Sequence, residues 1–369
     1  ENMLQTLVVA PSVHEHMIFS LSSEDEHASR FRERGCQVET FGLRNQHGCS
    51  VIKQLLQIFL GIIRLYLRIK RETPDVVQTW MYQSDIIGGV IARVLGQKVC
   101  WGIFNSNLNR ENYQFRTNII ILLCGVLSKV IPHRIWSCSR VGAEAHAGIG
   151  YPKRELRVIP TGVNTERFKP RLKQENAERA FTSKKENVLV VGTVARWDPQ
   201  KDYETLLRAF QRTRGQIPSA ELWLAGGYGI NHENKVLAQM IDNLNLSGSV
   251  RLFDSLSDEI VNFYQNLDLF VLSSLGEGVP NVILEAMSMQ LPCIVSDVGD
   301  IRYVLREEDF IIEPQRVDKF ANKMVSILSM SSAERLKIGE RLRRRVETSY
   351  SSDYMIKKLE GIYSELAEA

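Results

Sequence analysis

The sequence predicts an α/β protein with two doubly wound, Rossmann-like domains that face each other across a cleft. The chain has 369 residues, which is long enough for two domains. Short apolar runs alternate with amphipathic stretches, a pattern typical of parallel sheets that helices cover on both faces. The alternation stops once, at the polar and charged residues 164–187, and then restarts.

The first half of the chain is predicted to alternate strands and helices. Residues 23–35 show the end signals of a helix most clearly, with a serine cap, acids in the first turn and a terminal glycine. The predicted strands are 16–22, 36–43, 74–80, 98–104, 133–139 and 155–163. The predicted helices are 23–35, 51–71, 84–96, 118–131 and 140–150.

The second half repeats this pattern and ends in a long amphipathic helix. The predicted strands are 188–195, 220–227, 249–254, 267–274 and 292–297. The predicted helices are 202–215, 233–245, 258–267, 280–290, 317–329 and 352–369. We expect a first domain over 1–168, a second over 169–349, and a helix within 350–369 that packs back on the first domain.

Composition and charge limit the class of protein. The chain is 44% hydrophobic with a net charge of +3, which argues for a soluble globular protein and against one built to bind nucleic acid. Residues 1–170 carry 21 Lys and Arg against 14 Asp and Glu, and the remainder carries 25 against 29. The basic first half suits an acidic ligand or an anionic membrane, or is simply a solvated surface. The six scattered cysteines are expected to be free thiols in a reducing cytoplasm.

Two apolar segments, 51–72 and 117–128, raise the question of a membrane. Both are too short or too interrupted by charge to span a bilayer. Buried core helices are one prediction. The alternative for 51–72 is a helix lying in the interface, with its basic residues facing anionic lipid. Those basic residues are Arg64, Arg68, Lys70 and Arg71.

The run LGEGVPNVILEAM contains the first candidate site. Glycines flank Glu277, so the backbone there can approach a ligand closely. Asn281 is predicted to cap the next helix, which would leave the amides of Val282 and Ile283 free to bind a diphosphate. Glu285, one turn further on, could accept hydrogen bonds from a ribose, or it could be an ordinary helix glutamate.

Two cations follow a predicted strand of the second domain, in VGTVARWDPQKD. Arg196 and Lys201 are five residues apart across a loop that contains a proline, so they can converge on one anion. A guanidinium fork and an ammonium group both suit phosphate oxygens. The alternative is that both are solvated loop charges.

These two runs resemble the retaining GT-B glycosyltransferases of family 4, whose E-x7-E motif is matched by Glu277 and Glu285. The segments RVIPTGVNTERFKP, LAGGYG and LPCIVSDVGDIRYVL extend the resemblance over nearly the whole chain, more strongly in the second domain than in the first. The family begins with a strand and a Gly-Gly loop. Residues 1–168 are expected to lack both, because ENMLQTL resembles the helix after that loop.

The resemblance implies roles for the candidate residues. Arg196 and Lys201 would hold the donor diphosphate, Glu285 the ribose and Glu277 the donor sugar, while Phe253 would neighbour the nucleobase. The loop around sugar and phosphate would comprise Gly278, Val279, Pro280, Asn281, Val282 and Ile283. No metal and no cofactor are expected, because the cations stabilise the leaving group and the nearest D-x-D look-alike, 24–26, is explained as first-turn acids of a helix.

The first domain supplies the acceptor-side candidates. The family often has a histidine near the donor sugar, where this sequence has Asn105 and Ser106. Trp80, Gln83 and Asp85 are further candidates, since a sugar can stack on an indole and bond to an amide. Trp80 could equally be a core residue.

The sequence therefore predicts a cytoplasmic, metal-independent hexosyl- or acetylhexosaminyl-transferase, acting in polysaccharide biosynthesis. Its donor would be a nucleotide-diphosphate sugar, most simply a UDP-sugar, and its acceptor a saccharide or a lipid-linked saccharide at the inner membrane face. Peripheral membrane contact would go through the first domain. Two alternatives stay open: a nucleotide-sugar epimerase, and a catalytically silent nucleotide-sugar-binding partner.

Overall fold

A computed structural model shows two compact units, one formed by Glu1–Pro160 with Met355–Ala369 and the other by Thr161–Tyr354. The first boundary therefore falls after Pro160 rather than after residue 168. The described residues are 2–9, 12–22, 26–43, 51–108, 113–170, 187–227, 229–254, 256 and 259–369. Most of the predicted linker, Cys49 and the first two residues of the 24–26 acidic run lie outside them.

The first unit contains parallel strands in two groups. The strands are β1 (Met17–Ser20), β2 (Gln37–Thr40), β3 (Val76–Trp80), β4 (Lys98–Ile103), β5 (Arg134–Ser137) and β6 (Leu156–Val158). One group pairs β1 with β2, and the other has the order β3-β4-β5-β6. The sequential order within the larger group is the one that right-handed strand–helix–strand crossovers produce.

Helices connect these strands and cover the sheet. They are α1 (Asn2–Val9), α2 (Glu26–Glu33), α3 (Val51–Glu72), α4 (Tyr82–Val94), α5 (Phe115–Leu127) and α6 (Arg140–Gly148), with a 3₁₀ turn at Lys153–Glu155. The last helix of the chain, α14 (Ser352–Glu368), belongs to this unit from Met355 onward.

Alternating side chains of β4 and β5 explain why helices lie on both faces. Cys100 and Trp136 pack with α1 and α14. Trp101 and Ile135 pack in a separate cluster with α4 and α5. Because both faces are apolar, the strands read as continuous hydrophobic runs, as the sequence indicates.

The second unit has a six-stranded parallel sheet. Its strands are β7 (Leu189–Val194), β8 (Ala220–Ala225), β9 (Val250–Phe253), β10 (Leu269–Leu272), β11 (Cys293–Ser296) and β12 (Ile311–Ile312). The order is β12-β11-β10-β7-β8-β9. Strand order thus reverses between β7 and β10, and ligands of doubly wound sheets bind at the carboxyl ends of the strands beside such a reversal.

Seven helices among the described residues surround this sheet. They are α7 (Tyr203–Gln216), α8 (Lys235–Asn243), α9 (Ile260–Gln265), α10 (Asn281–Ser288), α11 (Ile301–Leu305), α12 (Val317–Leu328) and α13 (Ser332–Ser349). The 3₁₀ turns are Pro199–Lys201 and Glu308–Phe310. The strands are buried on both faces, and Val190, Leu222, Phe270 and Ile294 are inaccessible to solvent.

Two further expectations concern membranes and thiols. In the part of the chain that the structure describes, no helix combines the length and the apolar character needed to cross a membrane. Cys100, Cys124, Cys138 and Cys293 are buried and Cys36 is half-buried, and none of these five described cysteines forms a disulfide.

Asp85, one of the predicted acceptor-side residues, is buried and offers no surface to an acceptor. Helix α4 begins at Tyr82, two residues before its predicted start, and Asp85 lies on the side of α4 that packs on β3. It is fully buried and accepts a hydrogen bond from the Thr79 hydroxyl at 2.5 Å, while its other oxygen finds no partner among the described residues. Burial raises the pKa of Asp85 to about 7.

This burial predicts a pH-dependent stability effect. A carboxyl group whose pKa is higher in the folded state destabilises the fold progressively as pH rises from about 4 to 7. Asp85→Asn, which is isosteric and neutral, should therefore match the wild type near pH 4 and gain on the order of 3 kcal/mol of unfolding free energy at pH 8. Urea unfolding followed by tryptophan fluorescence at both pH values measures this gain.

The difference between variant and wild type is the informative quantity. Burial lowers the pKa of His146 to about 4, which gives the opposite slope, a stability that rises with pH between about 4 and 6.5. The exposed Asp75 is the matched control, and Asp75→Asn should change stability by less than about 0.5 kcal/mol at both pH values. An Asp85→Asn gain that is the same at pH 4 and pH 8 would contradict the prediction.

Candidate functional site

Glu277 lies in the loop that follows β10. The strand and the two serines after it are buried, so the loop starts from a fixed point. One oxygen of the Glu277 carboxylate accepts hydrogen bonds from the Ser274 hydroxyl and from the Lys201 ammonium, each at 2.6 Å. The side chains of Lys201 and Glu277 are only 17% and 11% exposed. The carboxylate is therefore held by a hydroxyl and a cation in a largely dry setting.

The loop after β7 places Lys201 in this position. Asp198 caps a 3₁₀ turn by accepting from the Gln200 amide at 2.9 Å. Asp202 then adopts a left-handed conformation, with φ 48°, and caps α7 by accepting from the Thr205 amide. Two successive caps fix the direction in which Lys201 leaves the turn.

Further hydrogen bonds tie the β7 and β10 loops together. The Gln200 side chain donates to the Gly276 carbonyl at 2.6 Å, and the Leu275 amide donates to the Gln200 carbonyl at 2.7 Å. The Ser273 hydroxyl donates to the carbonyls of Lys201 and Asp202, at 3.0 and 2.9 Å. The sequence analysis does not identify Gln200 and Ser273, because their pairings join residues more than 70 positions apart, nor Ser274, which lies only three residues before its partner Glu277.

Arg196 is placed on the same loop but has a different partner. Its guanidinium contacts one oxygen of Asp198, from Nε at 3.0 Å and from Nη2 at 2.9 Å, and its side chain is 61% exposed. The Gln200 amide and Arg196 lower the pKa of Asp198 below its usual range. In the structure each of the two predicted phosphate-binding cations thus has its own carboxylate, and their convergence on one anion stays a prediction.

The start of α10 differs from the sequence prediction. Pro280 is the residue before the helix, and Asn281 is the first helical residue and forms no cap. The proline, with φ −74° and ψ 120°, has the extended conformation that precedes a helix, so the helix begins at Asn281 itself. The predicted free amide of Ile283 is also wrong, because it donates to the Pro280 carbonyl at 3.1 Å.

A third loop supports the backbone of Glu277. Gly299, after β11, has φ +58°, and a Cβ there would collide with the carbonyls of Glu277 and Gly278. The neighbouring Asp300 amide donates to the Gly278 carbonyl at 3.1 Å. Only glycine permits this close approach of the two backbone segments. The contact fixes the main chain of the loop around Gly278 and Val279.

Glu285 is held from inside the unit by Tyr264. The buried Tyr264 hydroxyl donates to a Glu285 oxygen at 2.8 Å, and its ring packs on Phe168 and Phe270. Burial raises the pKa of Glu285, while the hydrogen bond from Tyr264 and the charge of Arg167 oppose that rise. Tyr264 carries no local sequence signal, because its position in α9 reads as an ordinary core aromatic.

Phe253 is a core residue at the end of β9. Its side chain is 4% exposed and packs between Trp223 and Phe263. Its carbonyl accepts from the Gly226 amide at 3.2 Å. The ring therefore offers little surface to a nucleobase, and a position of Phe253 beside the nucleobase stays a prediction.

The remaining acceptor-side candidates lie at the carboxyl ends of β3 and β4. Trp80 is partly buried and stacks on Phe104 with ring centroids 4.9 Å apart. Gln83 is exposed on α4. Asn105 donates to the hydroxyls of Tyr82 and Tyr113, and Ser106 is half-buried. These residues share one edge of the sheet, while Trp80 is also part of the aromatic packing.

Within the described ranges, no cluster of three or more His, Cys, Asp or Glu side chains is arranged to hold a metal ion.

Comparisons with known proteins identify the family. Residues 12–167 match the family described as "Glycosyltransferase Family 4", and residues 174–345 match "Glycosyl transferases group 1". An Escherichia coli relative, "UDP-Gal:alpha-D-GlcNAc-diphosphoundecaprenol alpha-1,3-galactosyltransferase", is 26% identical over 74% of this chain and 71% of its own length. The Staphylococcus aureus "Capsular polysaccharide biosynthesis glycosyltransferase CapM" is 23% identical over 82% and 80%.

Solved structures share the fold. Anabaena HepE in complex with UDP has a TM-score of 0.81 at 16% identity, covering 99% of this chain and 95% of its own. Sucrose-phosphate synthase from Thermosynechococcus elongatus has a TM-score of 0.77 at 18% identity, covering 98% and 92%. With two family matches that together span most of the sequence, the chain belongs to the family 4 glycosyltransferases and has the GT-B fold.

Proposed function

We propose that this glycosyltransferase moves a sugar from a UDP-sugar to a saccharide or lipid-linked acceptor, with retention of anomeric configuration and within polysaccharide biosynthesis. The observation that carries the proposal is the pair of Lys201 and Glu277, with Arg196 on the same loop as Lys201, at the point where strand order reverses. The E. coli relative is named for a UDP-galactose donor and a diphosphoundecaprenol-linked acceptor, and Anabaena HepE was solved with UDP.

Diphosphate binding would exchange partners within this site. Lys201 is paired with Glu277, and Arg196 with Asp198. A diphosphate brings more negative charge than a single carboxylate, so it would draw both cations to itself. The positive end of α10 would add to the attraction. The exchange would free one oxygen of Glu277 while Ser274 keeps the carboxylate in place.

The freed carboxylate would then contact the donor sugar. In the transfer step the bond between the anomeric carbon and the diphosphate oxygen breaks, and a bond to the acceptor oxygen forms on the same face. The acceptor proton passes to the departing diphosphate. Arg196 and Lys201 stabilise the negative charge that develops on the leaving group, which is why the reaction is proposed to need no metal ion.

Glu285 would bind the ribose hydroxyls of the donor. It needs to be ionised to accept from both hydroxyls, yet burial favours its neutral form. The hydrogen bond from Tyr264 favours the carboxylate and fixes its orientation. Tyr264 is therefore a positioning residue in this proposal.

Replacing the Glu277 carboxylate by an amide tests the proposed role of Glu277 at the donor sugar. Glu277→Gln should lower the turnover of UDP-glucose, UDP-galactose or UDP-N-acetylglucosamine, whichever is the donor, by about 100-fold. UDP itself should bind as well as before or more tightly, because Lys201 is no longer held by a carboxylate. Release of UDP measures turnover, and calorimetry measures binding.

The matched control for this variant is Glu204→Gln. Glu204 is 62% exposed on α7 and pairs with Arg208, so its loss should leave turnover unchanged. Wild-type turnover by Glu277→Gln would overturn its role at the sugar. If no UDP-sugar raises the melting temperature of the wild type, the donor site itself is wrong.

Removing the Tyr264 hydroxyl tests whether Tyr264 positions Glu285 for UDP. Tyr264→Phe should weaken UDP binding at least about tenfold at pH 8, because a hydrogen bond to a charged group contributes roughly 1.5–3 kcal/mol. Because that hydrogen bond lowers the pKa of Glu285, its removal raises this pKa further. UDP affinity should then start to fall, as pH decreases, at a higher pH than in the wild type.

Tyr350→Phe is the control for this pH profile. Like Tyr264, Tyr350 donates a hydrogen bond through its hydroxyl. The acceptor is the Tyr303 carbonyl, at 3.0 Å. Its loss should reduce stability without moving the pH at which UDP affinity falls. Equal pH profiles for Tyr264→Phe and the wild type would show that Tyr264 does not act through Glu285.

A further inference from the structure

Two helices of the first unit expose large apolar side chains. On α3 these are Leu55, Leu56, Phe59, Leu60, Ile63 and Leu67, with Phe59 60% exposed. On α5 they are Phe115, Ile119, Leu122, Leu123 and Val126, with Phe115 78% and Val126 65% exposed. The spacing within each set follows the helical repeat, so each set forms a continuous stripe. Contiguous apolar stripes of this size usually mark an interaction surface.

The two stripes belong to one layer. Helix α4 packs against both α3 and α5. Helix α3 buries Leu65 and Ile69 in one cluster, α5 buries Cys124 in another, and Val77 of β3 contacts both clusters. Since α3 and α5 cover the same face of the sheet, their outward sides form one surface. We call the two stripes together the apolar face.

The charges on the helices that carry and separate the apolar stripes are mostly positive, although Glu39 of β2 pairs with Arg64 and Arg68. Residues 51–72, 82–94 and 115–130 contain eight lysines and arginines and two acids. Of the acids, Asp85 is buried and Glu72 pairs with Arg68. Arg64 and Arg71 are 60% and 80% exposed. The eight cations are Lys53, Arg64, Arg68, Lys70, Arg71, Arg93, Arg116 and Lys129.

The apolar face and the cations beside it together indicate which kind of partner binds there. An apolar stripe flanked by cations matches the boundary between acyl chains and anionic head groups. A second copy of the chain would bring two cationic surfaces together, which repel each other. We infer that the apolar face docks this protein on the surface of an anionic lipid bilayer. The inference goes beyond the transfer reaction and does not depend on the donor site.

Vesicle binding of the whole chain tests the inference. The protein should partition onto vesicles that contain phosphatidylglycerol, more weakly onto phosphatidylcholine alone, and less as salt is raised. Val126→Asp should weaken partitioning roughly tenfold through lost apolar burial. Arg116→Glu should weaken it at least about fivefold, but only on the anionic vesicles.

Matched controls exist on the second unit. Val236, on α8, is 61% exposed, almost as much as Val126, and Arg212 is exposed on α7. Val236→Asp and Arg212→Glu should bind vesicles like the wild type. Glu277→Gln should also bind like the wild type, which separates a failure of the docking surface from a failure of the proposed transfer. Melting temperatures of all variants in solution confirm that they fold.

Two results would overturn the inference. One is equal partitioning of Val126→Asp, Val236→Asp and the wild type, or no binding to either vesicle. The other is a wild type that self-associates in light scattering and that Val126→Asp makes monomeric while vesicle binding is unaffected. The second result would assign the apolar face to contacts between copies of the chain.

Discussion

The site depends on the ion pair between Lys201 and Glu277. Their 2.6 Å contact joins the loops that leave β7 and β10, neighbouring strands between which the order of the sheet reverses. Neither side chain is well solvated, so each charge needs a partner, and without a ligand each is the partner of the other. The same two groups suit a diphosphate and a sugar. Without a ligand, Lys201 and Glu277 therefore contact each other. In the proposed function a nucleotide sugar would separate them, with its diphosphate at Lys201 and its sugar at Glu277.

The two carboxylates of the E-x7-E spacing lie in different environments. Glu277 accepts hydrogen bonds from the Lys201 ammonium and the Ser274 hydroxyl. Gly299 packs closely against the backbone of the same loop. Glu285 is partly buried on α10, and Tyr264 donates to it from the core. In the proposed function Glu277 would contact the donor sugar and Glu285 the ribose. An acid–base couple would instead require that the two groups share a proton or face one reacting atom.

The sequence is sufficient for the fold class and for placing the candidate residues Lys201 and Glu277 in loops that follow strands of the second sheet. Periodicity and end signals locate most strands and helices, and parallel strands bring the Lys201 and Glu277 loops to one edge. It is insufficient where the outcome depends on helix ends or on distant residues. Asp85 lies on the buried side of α4, and Pro280 rather than Asn281 is the residue before α10. Helix α13 was overlooked, although Ser331 and Glu334 form a capping box that could have revealed it.

A crystal structure of the full chain with UDP bound tests the central claim most directly. The account predicts that Lys201 leaves Glu277 to contact the diphosphate, that Arg196 joins it there, and that the ribose hydroxyls donate to Glu285. UDP bound in that crystal with the Lys201–Glu277 pair intact and the ribose away from Glu285 would contradict it.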